Sequence, residues 1–235
     1  MIDSGCAQTS DLALEPSKLV RFIVANTALL SPPLVPEIKL HLATESLPIW
    51  HQTEEALHEV GLPPPFWAFA WAGGQALARH ILDNPELVAG KRVLDLASGS
   101  GLVAIAAMQA GAVSALAADV DAFAAVATRL NATANGVTVE VTSADLIGGS
   151  EFVQTAAGQV QVILAGDMFY ERPMAERGLS WLSQCRAAGL DVLVGDPGRS
   201  YFPKDRFVHL AEYSVPVTRE LEDSEIKYTA VWRLA

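Results

Sequence analysis

From about residue 90 onward the chain alternates between short apolar runs and stretches with helical spacing, and few architectures accommodate that alternation. Arg92–Leu96 reads as a short apolar strand that ends at a glycine turn, and Leu102–Ala110 as a helix closed by Gly111. Val113–Ala118 reads as the next strand, followed by a helix over Ala122–Asn135 with Gly136 where a left-handed residue is needed. Val137–Thr142 is β-branched and alternating, Val160–Ala165 is apolar with a helix after it through about Cys185, and Leu190–Gly195 is another strand. Regions 206–217 and 226–234 read as two further strands with no helix between them. βαβ units followed by a hairpin predict a Rossmann-like α/β fold: a seven-stranded, mostly parallel, doubly wound sheet with one antiparallel strand.

The first part of the chain differs. Residues 12–30 and 43–60 carry helical spacing, and Pro63, Pro64 and Pro65 cannot be helix interior. The expected division is an N-terminal helical extension over 1–65 and a main domain over 66–235. With 235 residues and 51% apolar content, a large core is available and general disorder is excluded. Two cysteines, Cys6 and Cys185, exclude a disulfide framework and a cysteine-built zinc site. The net charge of −11 opposes binding to a phosphate backbone. It suits a basic partner, and equally a soluble bacterial protein. Asp3, Asp11 and Glu15, with no base among them, do not fit a signal or transit peptide, so a bacterial cytoplasmic location is expected. The most apolar stretch, Leu102 to Leu130, holds Asp119 and Asp121 and is broken by Gly111, so no membrane span is expected.

The chemistry centres on Asp95-Leu96-Ala97-Ser98-Gly99-Ser100-Gly101. Glycines there let the backbone turn sharply and approach a ligand, and the helix that follows aims its free N–H groups at it. Gly99-x-Gly101-x-x-Ala104 satisfies the dinucleotide fingerprint, so a nicotinamide oxidoreductase is one reading. Asp95 argues against it, because a carboxylate near that loop repels a diphosphate and suits the cationic S-adenosylmethionine. Bracing of the loop by Asp95 is the structural alternative. Asp119, at the end of the second strand, can accept both hydroxyls of a ribose in either cofactor. Asp121 reads as a helix cap. Asp145, after the third strand, reads as an acceptor for an adenine amino group or as a turn residue.

With these residues the chain resembles the seven-β-strand S-adenosylmethionine-dependent methyltransferases. Within them it is similar to the lysine methyltransferases of the electron transfer flavoprotein β subunit and their bacterial relatives. The resemblance rests on Pro36-Glu37-Ile38, the run Phe66 to Leu77 with its Trp71-Ala72-Gly73-Gly74-Gln75-Ala76, Asp83-Asn84-Pro85, Gly166-Asp167-Met168-Phe169-Tyr170 and Gly195-Asp196-Pro197-Gly198-Arg199. It covers about residues 36–235. The glycine loop is specific only to the superfamily, and Ala97 stands where many of its members have glycine.

The resemblance implies S-adenosylmethionine as cofactor and S-adenosylhomocysteine as product, held by Trp71, Gly73, Asp95, Ala97, Ser98, Gly99, Gly101, Asp119, Asp145 and Gly166. It makes Asp167 and Tyr170 the Asp-x-x-Tyr pair that receives a lysine amine. The protein substrate it implies is the electron transfer flavoprotein β subunit, with no nucleic acid or membrane partner. A different acceptor, such as a ribosomal protein or a small amine, stays open. The histidines at 41, 51, 58, 80 and 209 are scattered and no metal is expected. The 66–71 aromatics are divided between core packing and the cofactor cleft, with Trp71 the one expected in the cleft. The turn 196–199 is expected to shape the substrate entrance.

Overall fold

The computed structural model describes residues 15–44, 64–149, 154–217 and 224–235. A seven-stranded sheet is built from β3 (Arg92–Leu96), β4 (Ser114–Ala118), β5 (Glu140–Thr142), β8 (Val162–Gly166), β9 (Asp191–Asp196), β10 (Phe207–Pro216) and β11 (Ile226–Leu234). Its order is β10-β11-β9-β8-β3-β4-β5. The pairs from β9 through β5 are parallel, while β11 runs antiparallel to both β9 and β10. The expected fold is therefore the observed one, with the terminal hairpin placing β11 inside the sheet.

Five helices are described: α1 (Pro16–Asn26), α2 (Ala72–Asp83), α3 (Leu102–Gln109), α4 (Ala122–Ala134) and α5 (Arg172–Ala187). Successive strand residues point to opposite faces, and the central strands are apolar on both. Leu94, Leu96, Ile163, Val192 and Val194 pack with Trp181 and Leu182 of α5 on one face. Val93, Val162, Leu164 and Leu193 meet Ala76, Leu77 and Ile81 of α2 and Val103 of α3 on the other. Each parallel strand delivers its last residues, and the loop after it, to the same rim of the sheet.

The N-terminal region adds a third packed layer. α1 buries Leu19 and Ile23, and Phe22 meets Phe123 of α4 edge to face with ring centroids 5.2 Å apart. The helix expected over 12–30 stops at Asn26. Thr27 adopts extended backbone, and β1 (Ala28–Leu30) pairs antiparallel with β2 (Leu40–Leu42). Adjacent leucines fit a strand as well as a helix, and only the distant partner strand decides between them. The helix expected at 43–60 falls mostly outside the described residues. A further small hairpin, β6 (Gln154–Thr155) with β7 (Gly158–Gln159), precedes β8. Among the described residues no helix is long and apolar enough to cross a membrane.

Candidate active site

A cleft of about 650 Å³ opens at the carboxyl ends of β3, β4, β5 and β8. That is the rim where open α/β sheets take their ligands, and the volume is that of a small-molecule site. The glycine loop between β3 and α3 forms its floor. Ala97 has φ +54°, Gly99 φ +51° and Gly101 φ +77°, so three residues of this loop are left-handed. At Gly101 no side chain fits, because a Cβ would sit 2.6 Å from Thr128 Cγ2. Ala97 and Gly99 line the cleft, while Ser98 and Gly101 do not and serve the turn itself. The Gly101 N–H donates to the Ser98 carbonyl, and Ile105 N–H donates to the Gly101 carbonyl as α3 begins.

Asp95 is buried behind the loop, and its Oδ2 accepts the Ala104 N–H of α3 at 2.9 Å. It does not line the cleft, so the bracing alternative describes its position. Burial pushes its carboxyl up to about 7, against the Ala104 hydrogen bond and with help from the charge of Asp119. Asp119 does line the cleft. Its Oδ2 accepts the Gly99 N–H at 2.8 Å and its Oδ1 the Asp121 N–H at 3.0 Å, so it ties the end of β4 to the loop. Burial holds its carboxyl above the usual range. Asp121 caps α4 by accepting the Phe123 N–H, as expected.

Asp145 borders the far end of the cleft and takes the turn-residue position read for it. Its Oδ1 accepts the Ile147 N–H in a tight turn, and its Oδ2 pairs with Arg177 of α5 at 2.7 Å. Hydrogen bonding to Arg177 lowers its carboxyl.

The opposite end of the cleft belongs to β8 and α2. Gly166 ends β8 and lines the cleft, and a Cβ there would lie 2.8 Å from Gly74 Cα. Asp167 follows with φ +55°, a left-handed conformation that is strained for a residue with a side chain. Its Oδ2 accepts the Gly74 N–H at 2.9 Å, and its Oδ1 takes Arg199 Nη2 at 2.6 Å and Nε at 3.1 Å. Asp167 is not the cap of the helix that follows, since Glu171 occupies the cap position of α5. Tyr170 is half exposed at the mouth, edge to face with Phe66 at 5.7 Å, and burial raises its phenol above the ordinary value.

Of the four aromatics, Trp67 is core and stacks on Phe123, and Phe69 packs beside it. Phe66 and Trp71 line the cleft, Trp67 borders it as well, and the Trp71 indole donates to the Phe66 carbonyl at 2.9 Å. Gly73 is buried away from the cleft, and a Cβ on it would fall onto the Gly195 carbonyl and within 2.5 Å of Asp167 Oδ2. It permits the close seating of α2 on the sheet.

Two residues were not singled out as site residues in the sequence. Arg199 lines the cleft, with its guanidinium carbon 5.7 Å from the Trp71 ring centroid. It belongs to the 196–199 turn expected at the substrate entrance, and its pairing with Asp167 is what the sequence did not announce. Asn131 of α4 is wholly buried, donates to the Ser100 carbonyl at 2.8 Å and accepts the His41 N–H at 2.7 Å. It joins the glycine loop to β2, and nothing in the local sequence announces that. His41, His80 and His209 lie against Thr27, Tyr213 and Trp232, not at the cleft. Among the described residues no group of three or more His, Cys, Asp or Glu is placed to hold a metal ion.

Residues 76–168 match the family model of ribosomal protein L11 methyltransferase (PrmA). The fold is shared with a solved Thermoplasma acidophilum protein at a TM-score of 0.50, with 15% identity, 68% of this chain and 86% of that chain covered. The electron transfer flavoprotein beta subunit lysine methyltransferase of Danio rerio is 40% identical over 218 residues, covering 90% of this chain and 81% of that protein. The Homo sapiens protein of the same name is 36% identical, with 90% and 80% covered. Identity of this level over nine-tenths of this chain and four-fifths of those relatives is that of one family, and the chain belongs to the electron transfer flavoprotein beta subunit lysine methyltransferase family.

Proposed function

We propose that this enzyme transfers a methyl group from S-adenosylmethionine to lysine ε-amines of the electron transfer flavoprotein β subunit. The observation that carries the reading is one cleft with Asp119 and Asp145 at one end and Asp167, Tyr170 and Trp71 at the other. The residues fit the cofactor: an apolar wall from Leu96, Ala118, Leu146 and Ile147 suits an adenine, Asp119 suits a ribose diol, and a carboxylate-rich rim suits a cationic ligand. Trp71, Ala97, Gly99, Asp119, Asp145 and Gly166 would hold it directly, while Gly73, Asp95, Ser98 and Gly101 shape the cradle from behind. When bound, it supplies an electrophilic methyl whose S–C bond breaks as the N–C bond forms, leaving S-adenosylhomocysteine, and the nitrogen releases a proton to water.

The protein's part is alignment. A lysine amine has a pKa of about 10.4 in water and has to arrive neutral. Partial burial in the cleft lowers that value. Tyr170 walls the entry and orients the nitrogen lone pair, and Asp167 sets the acceptor end of the cleft. Holding two reactants in line is worth several orders of magnitude in rate. A smaller groove of about 310 Å³, lined by Tyr170, Pro197, Gly198, Arg199, Ser200 and Lys227, adjoins the mouth and offers a path for the substrate polypeptide.

In this reading residues 1–65 are an extension that covers the cleft or grips the protein substrate, and 66–235 form the catalytic domain. A ribosomal-protein acceptor is the second reading, favoured by the family match at 76–168. That match spans the cofactor half and stops before β9, β10 and β11.

The test is tritiated S-adenosylmethionine with recombinant electron transfer flavoprotein and a cell extract, followed by mass spectrometry of labelled lysines. Label on the flavoprotein β subunit is the expected result. Label only on other proteins removes this acceptor, and no label on lysine removes the reading.

A further inference from the structure

Asp167 presents a difficulty for an enzyme that methylates amines. A carboxylate beside a lysine nitrogen attracts the ammonium form and then stabilises it, which keeps the lone pair tied up in an N–H bond. Asp167 is largely buried, with 11% of its side chain exposed, so this effect is poorly screened by water.

The structure supplies a compensating cation from the next strand. Arg199 reaches back from the turn after β9 and places Nη2 2.6 Å and Nε 3.1 Å from Asp167 Oδ1. The turn is held by Asp196, whose Oδ1 accepts the N–H groups of Gly198 and Arg199, both at 2.7 Å. The guanidinium also lies over the Trp71 ring, against the wall of the cleft. Both Asp167 oxygens are engaged, one by Arg199 and the other by the Gly74 N–H.

We propose that Arg199 is a positioning residue that neutralises Asp167, so that the lysine amine enters the cleft as a free base rather than as an ion-paired ammonium. The inference rests on the lysine methyltransferase reading. The Asp167–Arg199 pair then offers hydrogen-bond geometry while carrying no net charge of its own. The other charged or titratable groups around this end are Tyr170 and Glu171 after β8, Asp119 at the end of β4 and Lys227 of β11, with Asp196 at the end of β9 behind the Arg199 turn. From α2 the contact is the Gly74 N–H. Arg172 of α5 is turned toward the Tyr201 ring, 5.3 Å from its centroid.

The experiment measures kcat at saturating S-adenosylmethionine and flavoprotein substrate over about pH 6 to 10. It compares the wild-type enzyme with R199Q, R199K and the double variant R199Q/D167N. Lysine methylation by the wild-type enzyme is the reference, and its absence sinks the underlying reading rather than this inference. With that activity in hand, R199Q is expected to move the acid limb of the profile up by about one pH unit, so its rate falls about tenfold at pH 7 and recovers toward pH 10. R199K keeps the charge and holds the limb near the wild-type position, and R199Q/D167N brings it back there.

A loss in R199Q that is equal at every pH, or a double variant whose limb stays raised, overturns the proposal. Calorimetric titration of S-adenosylmethionine verifies that the R199Q cleft is intact. If it is not, D167N decides. It leaves Arg199 uncompensated, so its limb is expected below that of the wild-type enzyme, and an unmoved or raised limb overturns the proposal.

Discussion

Gly73 and Gly195 lie backbone against backbone where α2 meets the sheet, so closely that a Cβ on either would fall onto the other's carbonyl oxygen. The same Gly195 carbonyl accepts the Asp167 N–H at 3.0 Å, so one contact seats the helix and fixes the start of the Asp167–Tyr170 turn. Gly195→Ala would also put its Cβ 2.9 Å from Leu77 Cβ. The expected cost is about 3 kcal/mol or more, because the obstruction is backbone that cannot move aside. Urea unfolding measures it, and a loss below about 1 kcal/mol contradicts this account.

Asp95 makes stability depend on pH. Its carboxyl is raised to about 7 by burial, so the folded protein binds a proton there more tightly than the unfolded chain does. Stability is then highest at low pH, falls as pH rises from about 4 to about 7, and is level above that. Asp95→Asn removes this dependence, and the asparagine oxygen retains the Ala104 hydrogen bond. The variant is expected to gain on the wild-type protein across that window by up to about 4 kcal/mol. Asp121 and Asp196, both raised to about 6, contribute in either protein and cancel. Thermal melts at pH 5 and pH 8 give the difference, and a constant gap between the two proteins rules the effect out.

The sequence carried most of the sheet because each central strand is apolar on both faces and each crossover helix ends at a glycine or a polar cap. Expected strand limits coincide with the observed ones at β3 and β11 and differ by one to three residues at the others, most at Val137–Thr142, where only Glu140–Thr142 pairs with β4. The rim positions of Asp119, Asp145 and Asp167 followed from the same pattern. What local reading missed depends on contacts between distant segments. β1 needs β2, Arg199 needs Asp167, and Asn131 needs both Ser100 and His41. Family-specific residues such as Gln75, which donates to the Ala70 carbonyl and accepts the Leu34 N–H, look functional in sequence and are structural in space.

Ala97 holds a left-handed backbone, with φ +54°. A side chain costs about 1 kcal/mol or more there, and glycine avoids that cost. Ala97→Gly is expected to raise stability by about 1 kcal/mol despite the greater freedom of glycine in the unfolded chain. Differential scanning calorimetry decides, and a lower Tm contradicts the strain argument.

Asp119→Ala removes the proposed ribose acceptor and releases the Gly99 and Asp121 N–H groups together. The dissociation constant for S-adenosylmethionine is expected to rise by about 10- to 100-fold, or about 1.4 to 2.8 kcal/mol. Isothermal titration calorimetry gives the value, and an affinity within about threefold of the wild-type protein excludes Asp119 as a direct contact.

Tyr170 separates ring from hydroxyl. Tyr170→Phe keeps the wall beside Phe66 and is expected to lower kcat/KM for the protein substrate less than about fivefold, whereas Tyr170→Ala lowers it by about 10-fold or more. Equal losses in the two variants assign the work to the hydroxyl instead. Cofactor affinity measured alongside keeps the two clefts comparable.

The position of β11 has a consequence for biosynthesis. It is made after β10 yet inserts between β10 and β9. While a ribosome is still producing residues 226–234, the edge of β9 has no neighbour and β10 has nothing to pair with. The nascent chain therefore carries an open sheet edge until β11 arrives, at a stage when the cleft on the other strands has all its lining residues. A chain cut before β11 keeps every residue that lines the cleft and presents an exposed edge suited to aggregation.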